Sequence, residues 1–264
     1  MDKKYEFRYP EIDRSEGLLY LKNCEEVVDG IFYDLVIRPR DAEAKIDPKK
    51  SYPFSFTSEK NGKCVDKEKL VLEISDALNR GISEVRAPVV VLKPSVSVAD
   101  LKAETVYRAS FTTEFKNSVE ERKDNIALAC KYIGGRRLAN GETFSFNDAV
   151  GERTEKRGFS SAKIIENGKF TEGVGGGVCQ VSSTLYNAAL LAGLEISERH
   201  SHSLAVGYVE PSFDAMVSTG YADLKISNRT GGGIYIVMTA SREKVTAKIY
   251  GRKMDERYER VSKV

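Results

Sequence analysis

Gly173-Val-Gly-Gly-Gly-Val-Cys-Gln-Val-Ser-Ser-Thr-Leu-Tyr-Asn-Ala-Ala-Leu-Leu-Ala-Gly193 runs from a glycine cluster straight into an apolar-periodic segment. The spacing predicts a helix on which Val181, Leu185 and Ala188 or Ala189 share a packing face, with Cys179 just before the first full turn. A thiol is a poor nucleophile until it ionises. The unpaired N–H groups and macrodipole of a helix start favour the thiolate. The glycines let the backbone approach a substrate and aim N–H groups at it. Both histidines of the chain, His200 and His202, follow shortly after. Cysteine at a helix start with histidine nearby is a nucleophile–base pattern; the plainer reading of Cys179 is a buried structural cysteine at a tight turn.

Outward from this segment, His200-Ser-His202 would place both rings on one face if the stretch is a strand. One reading is a general base for Cys179 beside an exposed neighbour. Another is a metal site with Cys179 as third ligand, because one cysteine and two histidines suit zinc; no fourth ligand is evident. Asp214, in Pro211-Ser-Phe-Asp-Ala-Met-Val, either orients a histidine as the third member of a triad or forms a turn after Pro211 and Ser212. The glycine run is no P-loop, because Cys179-Gln180 stands where Gly-Lys-Ser/Thr would follow. An oxyanion hole fits better, built from N–H groups between Gly177 and Cys179, with Gln180 helping or facing solvent. Ser182, Ser183 and Thr184 read as helix-start residues, since the Gly-x-Ser-x-Gly nucleophile pattern is absent.

Composition narrows the class. The 264 residues suffice for two modest domains or one large one, and 41% hydrophobic with 30% charged residues is ordinary for a soluble globular chain. A formal net charge of +2 supplies no argument for a nucleic-acid partner. No apolar run approaches the roughly 20 residues needed to span a bilayer. The start, Met-Asp-Lys-Lys-Tyr-Glu-Phe, lacks the apolar stretch of a signal peptide. Taken literally the chain is cytosolic; equally it is the soluble part of an exported protein without its anchor. Cys24, Cys64, Cys130 and Cys179 show no CxxC spacing, and a Cys24–Cys64 disulfide is conceivable.

The pattern predicts an α+β chain. Residues from about 5 to 40 read as short strands, among them Gly17–Leu21 and Ile31–Ile37. A helix is expected from Asp66 to Leu78, capped by Asp66, and strand-like sequence over Val85–Leu92, interrupted by Pro88. Ser97–Leu101 looks like a turn or short helical piece. Near residue 105 the pattern changes, which divides the chain into 1–105 and 106–264, two parts expected to pack together. Beyond it come a strand from Tyr107, a helix from Ser118 to Ile133 ended by Gly134-Gly135, and mixed strand and turn from Glu142 to Phe170. Ile126, Cys130 and Ile133 share a face of that helix, so Cys130 reads as core. The C-terminal segment is β-rich: Leu204–Tyr208, Tyr221–Ser227, Gly233–Thr239 and Lys244–Tyr250, with a turn at Asn228–Gly233.

Several of these stretches together resemble a known family. Gly175-Gly-Gly-Val-Cys-Gln-Val-Ser-Ser-Thr-Leu-Tyr-Asn, Glu198-Arg-His-Ser-His-Ser and Val206-Gly-Tyr-Val-Glu-Pro look like the core of the VanW domain. Upstream, Arg122-Lys-Asp-Asn-Ile, Asn140-Gly-Glu-Thr-Phe-Ser-Phe-Asn147 and Val150-Gly-Glu-Arg-Thr-Glu-Lys-Arg-Gly158 resemble its earlier motifs, so that the likeness covers about 107–230. Residues from about 42 to 105 resemble a small α+β module that precedes such domains and is named for peptidoglycan binding. The resemblance implies an extracellular cell-envelope protein of a Gram-positive bacterium, secreted or held by a membrane anchor absent from this chain.

For some members the resemblance implies an L,D-transpeptidase that cross-links peptidoglycan through a cysteine, which here is Cys179. The family histidine followed by serine corresponds to His202. Asp214 matches the family's Asp-Ala-x-Val, although Ser212 stands where the family has glycine. On this reading the Cys179 thiolate attacks the third residue of a tetrapeptide stem and expels D-Ala. N–H groups around Gly177 to Cys179 face the oxyanion, within a loop of Gly175, Gly176, Gly177, Val178 and Gln180, and a second stem's side-chain amine completes a 3→3 cross-link. Water in its place gives carboxypeptidase activity. Arg153, Arg157 or Lys163 can hold substrate carboxylates or be plain surface charge; Tyr208 and His200 join them as candidate contacts. No cofactor, metal or nucleic acid enters this reading. A non-catalytic wall-binding accessory protein and a zinc-dependent amidase or peptidase remain alternatives.

Overall fold

The computed structural model describes residues 4–6, 12–166, 168–256 and 258–260. Residues 7–11, at the head of the expected strand-rich stretch, lie outside them. In chain order the elements are β1 (Ile12–Ser15), β2 (Leu18–Leu21), α1 (Cys24–Leu35), β3 (Glu43–Ile46), β4 (Phe54–Thr57), β5 (Gly62–Val65), α2 (Lys67–Arg80), β6 (Val89–Leu92), α3 (Val98–Glu104), β7 (Val106–Glu114), α4 (Glu120–Ile133), β8 (Gly135–Leu138), β9 (Thr143–Ser145), α5 (Phe146–Val150), β10 (Ser161–Glu166), β11 (Lys169–Val174), α6 (Val178–Leu191), β12 (Glu195–Glu198), β13 (Lys225–Ser227), β14 (Ile234–Ala240) and β15 (Lys244–Gly251). This is an α+β protein, as its patterning predicts. The chain divides into two units, residues 1–43 with 56–98, and residues 44–55 with 99–264.

The first unit carries two antiparallel strand pairs, β1–β2 and β5–β6, and two helices. Its core is small: Val28 and Ile31 of α1 meet Val65 and Leu70. The expected strand Ile31–Ile37 is instead the end of α1, and only Ile37 makes a strand-like bridge, to Lys63. Val28, Ile31 and Leu35 recur at three and four residues, the period of a helix face, and Glu25 and Glu26 suit its first turn. The run of β-branched and aromatic residues concealed that period. Helix α2 forms where predicted. The Asp66 side chain accepts a hydrogen bond from the Lys69 N–H at 3.1 Å, and Gly81 ends the helix at φ 69°.

The second unit is built on an antiparallel sheet of order β7-β15-β14-β8. Helix α4 packs on β14, α6 on β7 and β15, and the two helices touch each other. Ile126, Ala129, Cys130 and Ile133 from α4 and Val181, Leu185 and Ala188 from α6 meet Ile236, Met238, Val245, Ala247 and Ile249 of the sheet. Each large aliphatic buried there contributes roughly 1.5–3 kcal/mol. A second antiparallel sheet, β12-β13-β9, and the hairpin β10–β11 flank this core in sequence. The expected strand Leu204–Tyr208 is irregular: its residues alternate between half-buried and exposed, but no neighbouring strand supplies a ladder. Tyr221–Ser227 shortens to β13, because Tyr221 sits on an exposed turn closed by the Ser218–Ala222 bridge. All four cysteines are free, Cys24 and Cys64 included. Among the described residues no helix is long and apolar enough to cross a membrane.

Candidate active site

Cys179 is the second residue of α6, and Gly177 occupies the N-cap with φ 105° and no side-chain cap. The three preceding glycines are held closely. Gly175 lies against the Arg153 stem, Gly176 against the Ala162 backbone, and Gly177 against Arg122 and Ile126, so that a Cβ at any of them would collide within about 3 Å. Asn125, fully buried on α4, clamps this loop: its amide donates to the carbonyls of Ser160 (2.9 Å) and Gly176 (3.0 Å), and its oxygen accepts from the Ser160 N–H (2.8 Å). The Val178 N–H donates to the Gly175 carbonyl and the Gln180 N–H to the Gly177 carbonyl. Among the described residues the N–H groups of Gly177 and Cys179 have no such backbone acceptor, as is usual in the first turn of a helix.

Helix α6 is buried on nearly all sides, and its polar residues are bonded rather than solvated. The Ser182 hydroxyl donates to the Ala215 carbonyl (2.6 Å), and Ser183 Oγ accepts from the Ala215 N–H (2.9 Å). Asn187 donates to the Phe213 carbonyl at 2.7 Å. This seam fixes residues 213–217 along the helix. It places Asp214 beside the site and the Val217 carbonyl 3.4 Å from the Cys179 thiol that donates to it.

His202 lies between the two. Its Nδ1 is 2.7 Å from Asp214 Oδ2, which also accepts the His202 backbone N–H at 2.7 Å, and its ring stands near enough to Cys179 for the sulfur to raise its pKa. With Nδ1 committed to Asp214, the other ring nitrogen, Nε2, is the one left for sulfur. The ring is 6% exposed. Burial alone would lower its pKa; the hydrogen bond to Asp214 and the nearby Cys179 sulfur outweigh it and lift it to about 9. Burial likewise raises the Asp214 carboxyl, but His202 and Arg199 hold it below its ordinary value. Arg199 grips Asp214 twice, at its carbonyl (2.7 Å) and Oδ1 (2.7 Å), and also donates to the Ser212 carbonyl at 3.1 Å. Ser212, where the resemblance has glycine, adopts φ 72°. The turn keeps the glycine conformation and Asp214 keeps its place.

The other candidates separate. His200 faces elsewhere: its Nε2 meets Glu198 Oε1 at 3.0 Å, and residues 201–202 are not strand, so the two rings do not share partners. Hydrogen bonds from Lys225 and His200 hold the Glu198 carboxyl down to about 2. Gln180 is 1% exposed, and its side chain is spent on Thr113, the Glu114 carbonyl and Arg122; neither its amide nor its N–H faces an oxyanion. Arg157 donates to the Glu152 carbonyl and stacks on Tyr132, 4.4 Å from the ring centroid, where it shapes its own loop. Arg153 extends along Gly175 and donates to Asn147 (2.7 Å) and Thr219 (2.8 Å). Tyr208 reaches back to Ser183 and stands near Cys179 and Arg122. Among the described residues no group of three His, Cys, Asp or Glu side chains has the arrangement of a metal site.

Arg122, Asn125 and Arg199 carry no role in the sequence reading. A signal existed for two of them. Arg122, Asn125, Ile126 and Ala129 repeat at three, four and seven residues, so that two polar side chains fall on the buried face of α4. Arg199 had none, because its carboxylate partner lies fifteen residues on in a loop.

The comparisons with known proteins concern this same region. Residues 121–250 match the family model described as VanW-like protein. The chain is 43% identical over 159 residues to YoaR of Bacillus subtilis, described as an uncharacterized protein, covering 60% of this chain and 52% of that one. It is 32% identical over 143 residues to the vancomycin B-type resistance protein VanW of Enterococcus faecalis, covering 52% of each. The matched chain thus spans about half the length of these curated relatives. No solved structure matches it. Through residues 121–250, which hold the glycine loop, Cys179, His202 and Asp214, the chain belongs to the VanW-like family.

Proposed function

We propose that this protein acts on the cell envelope as a cysteine-dependent acyltransferase of peptidoglycan stem peptides, an L,D-transpeptidase that forms 3→3 cross-links. The observation that carries the reading is the Cys179–His202–Asp214 relay at an uncapped helix start. The name of the vancomycin-resistance relative supports the envelope setting. His202, cationic at neutral pH with its pKa lifted to about 9, holds the proton of the pair while Sγ bonds to the carbonyl carbon of the stem's third residue. The N–H groups of Gly177 and Cys179 receive the oxyanion. As the tetrahedral intermediate collapses, the C–N bond to the terminal D-Ala breaks and His202 returns the proton to the leaving nitrogen. A side-chain amine of a second stem then attacks the thioester, its proton goes to His202, and the thiol is restored. Asp214 holds the imidazole in orientation throughout.

The test is incubation with a disaccharide-tetrapeptide, followed by intact-protein and product mass spectrometry beside Cys179→Ala. A thioester adduct, released D-Ala and a cross-linked dimer, all lost in the variant, are expected. Tripeptide without dimer would make the protein a carboxypeptidase. Binding of the stem without turnover, unchanged in Cys179→Ala, would overturn catalysis in favour of a wall-binding accessory role.

A further inference from the structure

Two guanidinium groups flank the glycine loop on which Cys179 stands. The Arg122 stem packs on Gly177, and its head donates to Gln180 Oε1 (2.8 Å) and Ser118 Oγ (3.0 Å). The Arg153 stem packs on Gly175, and its head donates to Asn147 Oδ1 and Thr219 Oγ1. Both are partly buried and close enough to feel the charge of Cys179. Among the described residues neither forms an ion pair. Asp223 lies near Arg153, but its carboxylate accepts from the Ser145 hydroxyl and the N–H groups of Asn147 and Leu224. Partly desolvated arginines are ordinarily paired with an acid, since a buried unpaired charge is costly. Here neutral oxygens alone orient them, and each guanidinium carries five N–H donors, more than the bonds it makes.

We propose that Arg122 and Arg153 form a clamp for an anionic carboxylate adjoining the scissile bond, which restricts the enzyme to a free peptide C-terminus. This rests on the acyl-transfer reading above and adds its specificity. In a peptide ending one residue past the attacked carbonyl, the terminal carboxylate carbon follows that carbonyl by three bonds, at most about 4 Å away. A group placed for Sγ attack therefore brings its carboxylate to the residues bordering Cys179. The clamp grips the residue that leaves, so the enzyme trims or exchanges a terminal residue and does not cut within a chain.

Two experiments test this together. The first compares a tetrapeptide stem ending in a free carboxylate with its C-terminal carboxamide, in wild type and in Arg122→Met and Arg153→Met, which retain the packed stems. Wild type is expected to prefer the acid by about 100-fold or more in kcat/KM, and each variant to lose most of that preference, read as the acid-to-amide ratio within each variant. The second needs no turnover. Alkylation of Cys179 by iodoacetate and by iodoacetamide is followed by peptide mass mapping, with a free cysteine peptide as reference. The anionic reagent is expected to be favoured about tenfold over the reference ratio, and the double variant to return to it. Equal cleavage of acid and amide would overturn the clamp while leaving acyl transfer standing. Anion preference without any turnover would keep the clamp and sink the transpeptidase reading. If a variant fails to fold, the wild-type acid-to-amide ratio decides alone.

Discussion

Helices α2 and α6 are both 14 residues long and begin in opposite ways. In α2, Asp66 closes the N-terminus with its own side chain, one face is buried and the rest is solvated. In α6, a glycine in a left-handed conformation takes the cap position, no side chain satisfies the first turn, and the body is buried almost all round. The first helix answers its own unpaired donors; the second leaves them for something else. That difference separates a helix that closes its own start from one whose start carries Cys179 uncapped, and it can be tested from both sides.

The largest effect is expected from Cys179→Ala, which should reduce thioester and cross-link formation by at least about 1,000-fold in the mass-spectrometric assay without lowering the melting temperature appreciably. Next comes Asp214→Asn. It removes the charge that holds His202, and turnover should fall by about 100- to 10,000-fold. The same variant should bring the His202 pKa down from about 9 toward its ordinary value, which an NMR titration of the ring would follow. The sign of the stability change follows. A raised folded pKa stabilises fully below the unfolded value near 6.5 and is lost as pH rises through about 9. Urea melts should therefore show the wild type's advantage over Asp214→Asn to be greatest near pH 6 and mostly gone by pH 10. A wild-type advantage that grew with pH would contradict the assigned ion pair.

Backbone changes sharpen the contrast further. Gly177→Ala should cost about 2–4 kcal/mol, since a side chain at φ 105° would also strike Arg122 and Ile126. Asp66→Ala, the matching change at the start of α2, should cost only about 1 kcal/mol. If the two losses in thermal or urea unfolding were equal, the α6 start would be no more constrained than an ordinary cap. Smallest is Ser212→Gly. It relieves a φ of 72° but adds unfolded-chain entropy, and a net gain of about 0.5 kcal/mol is expected.

How far the sequence reveals this depends on whether the information is local. Helices α2, α4 and α6 and the β14–β15 hairpin were readable because their periods and stop residues sit within each segment. Val28, Ile31 and Leu35 misled because β-branched composition outweighed a helical spacing. Leu204–Tyr208 misled because alternation alone does not make a strand without a neighbour to pair with. Within the site, the pattern singles out Cys179, His202 and Asp214, and the structure places the His202 ring on Asp214 with Cys179 nearby. Sequence could not show that His200 turns to Glu198, or that Gln180 is consumed by Thr113 and Arg122, because both depend on contacts from other elements. Arg199 is hidden for the same reason, since it holds a backbone that is distant in sequence; the helical spacing of Asn125 marks it as buried but does not show the loop it clamps.

The support of the relay also has an order in time. Cys179, His202 and Asp214 leave the ribosome within one short stretch, but the start of α6 is tied by Gln180 to β7, and β7 joins its sheet only through β15. Strand β15 begins at Lys244, thirty residues after Asp214. A nascent chain therefore carries all three groups before the platform beneath them can close. Cys179, His202 and Asp214 therefore reach their fixed arrangement only once the last strand of the unit has been made and paired.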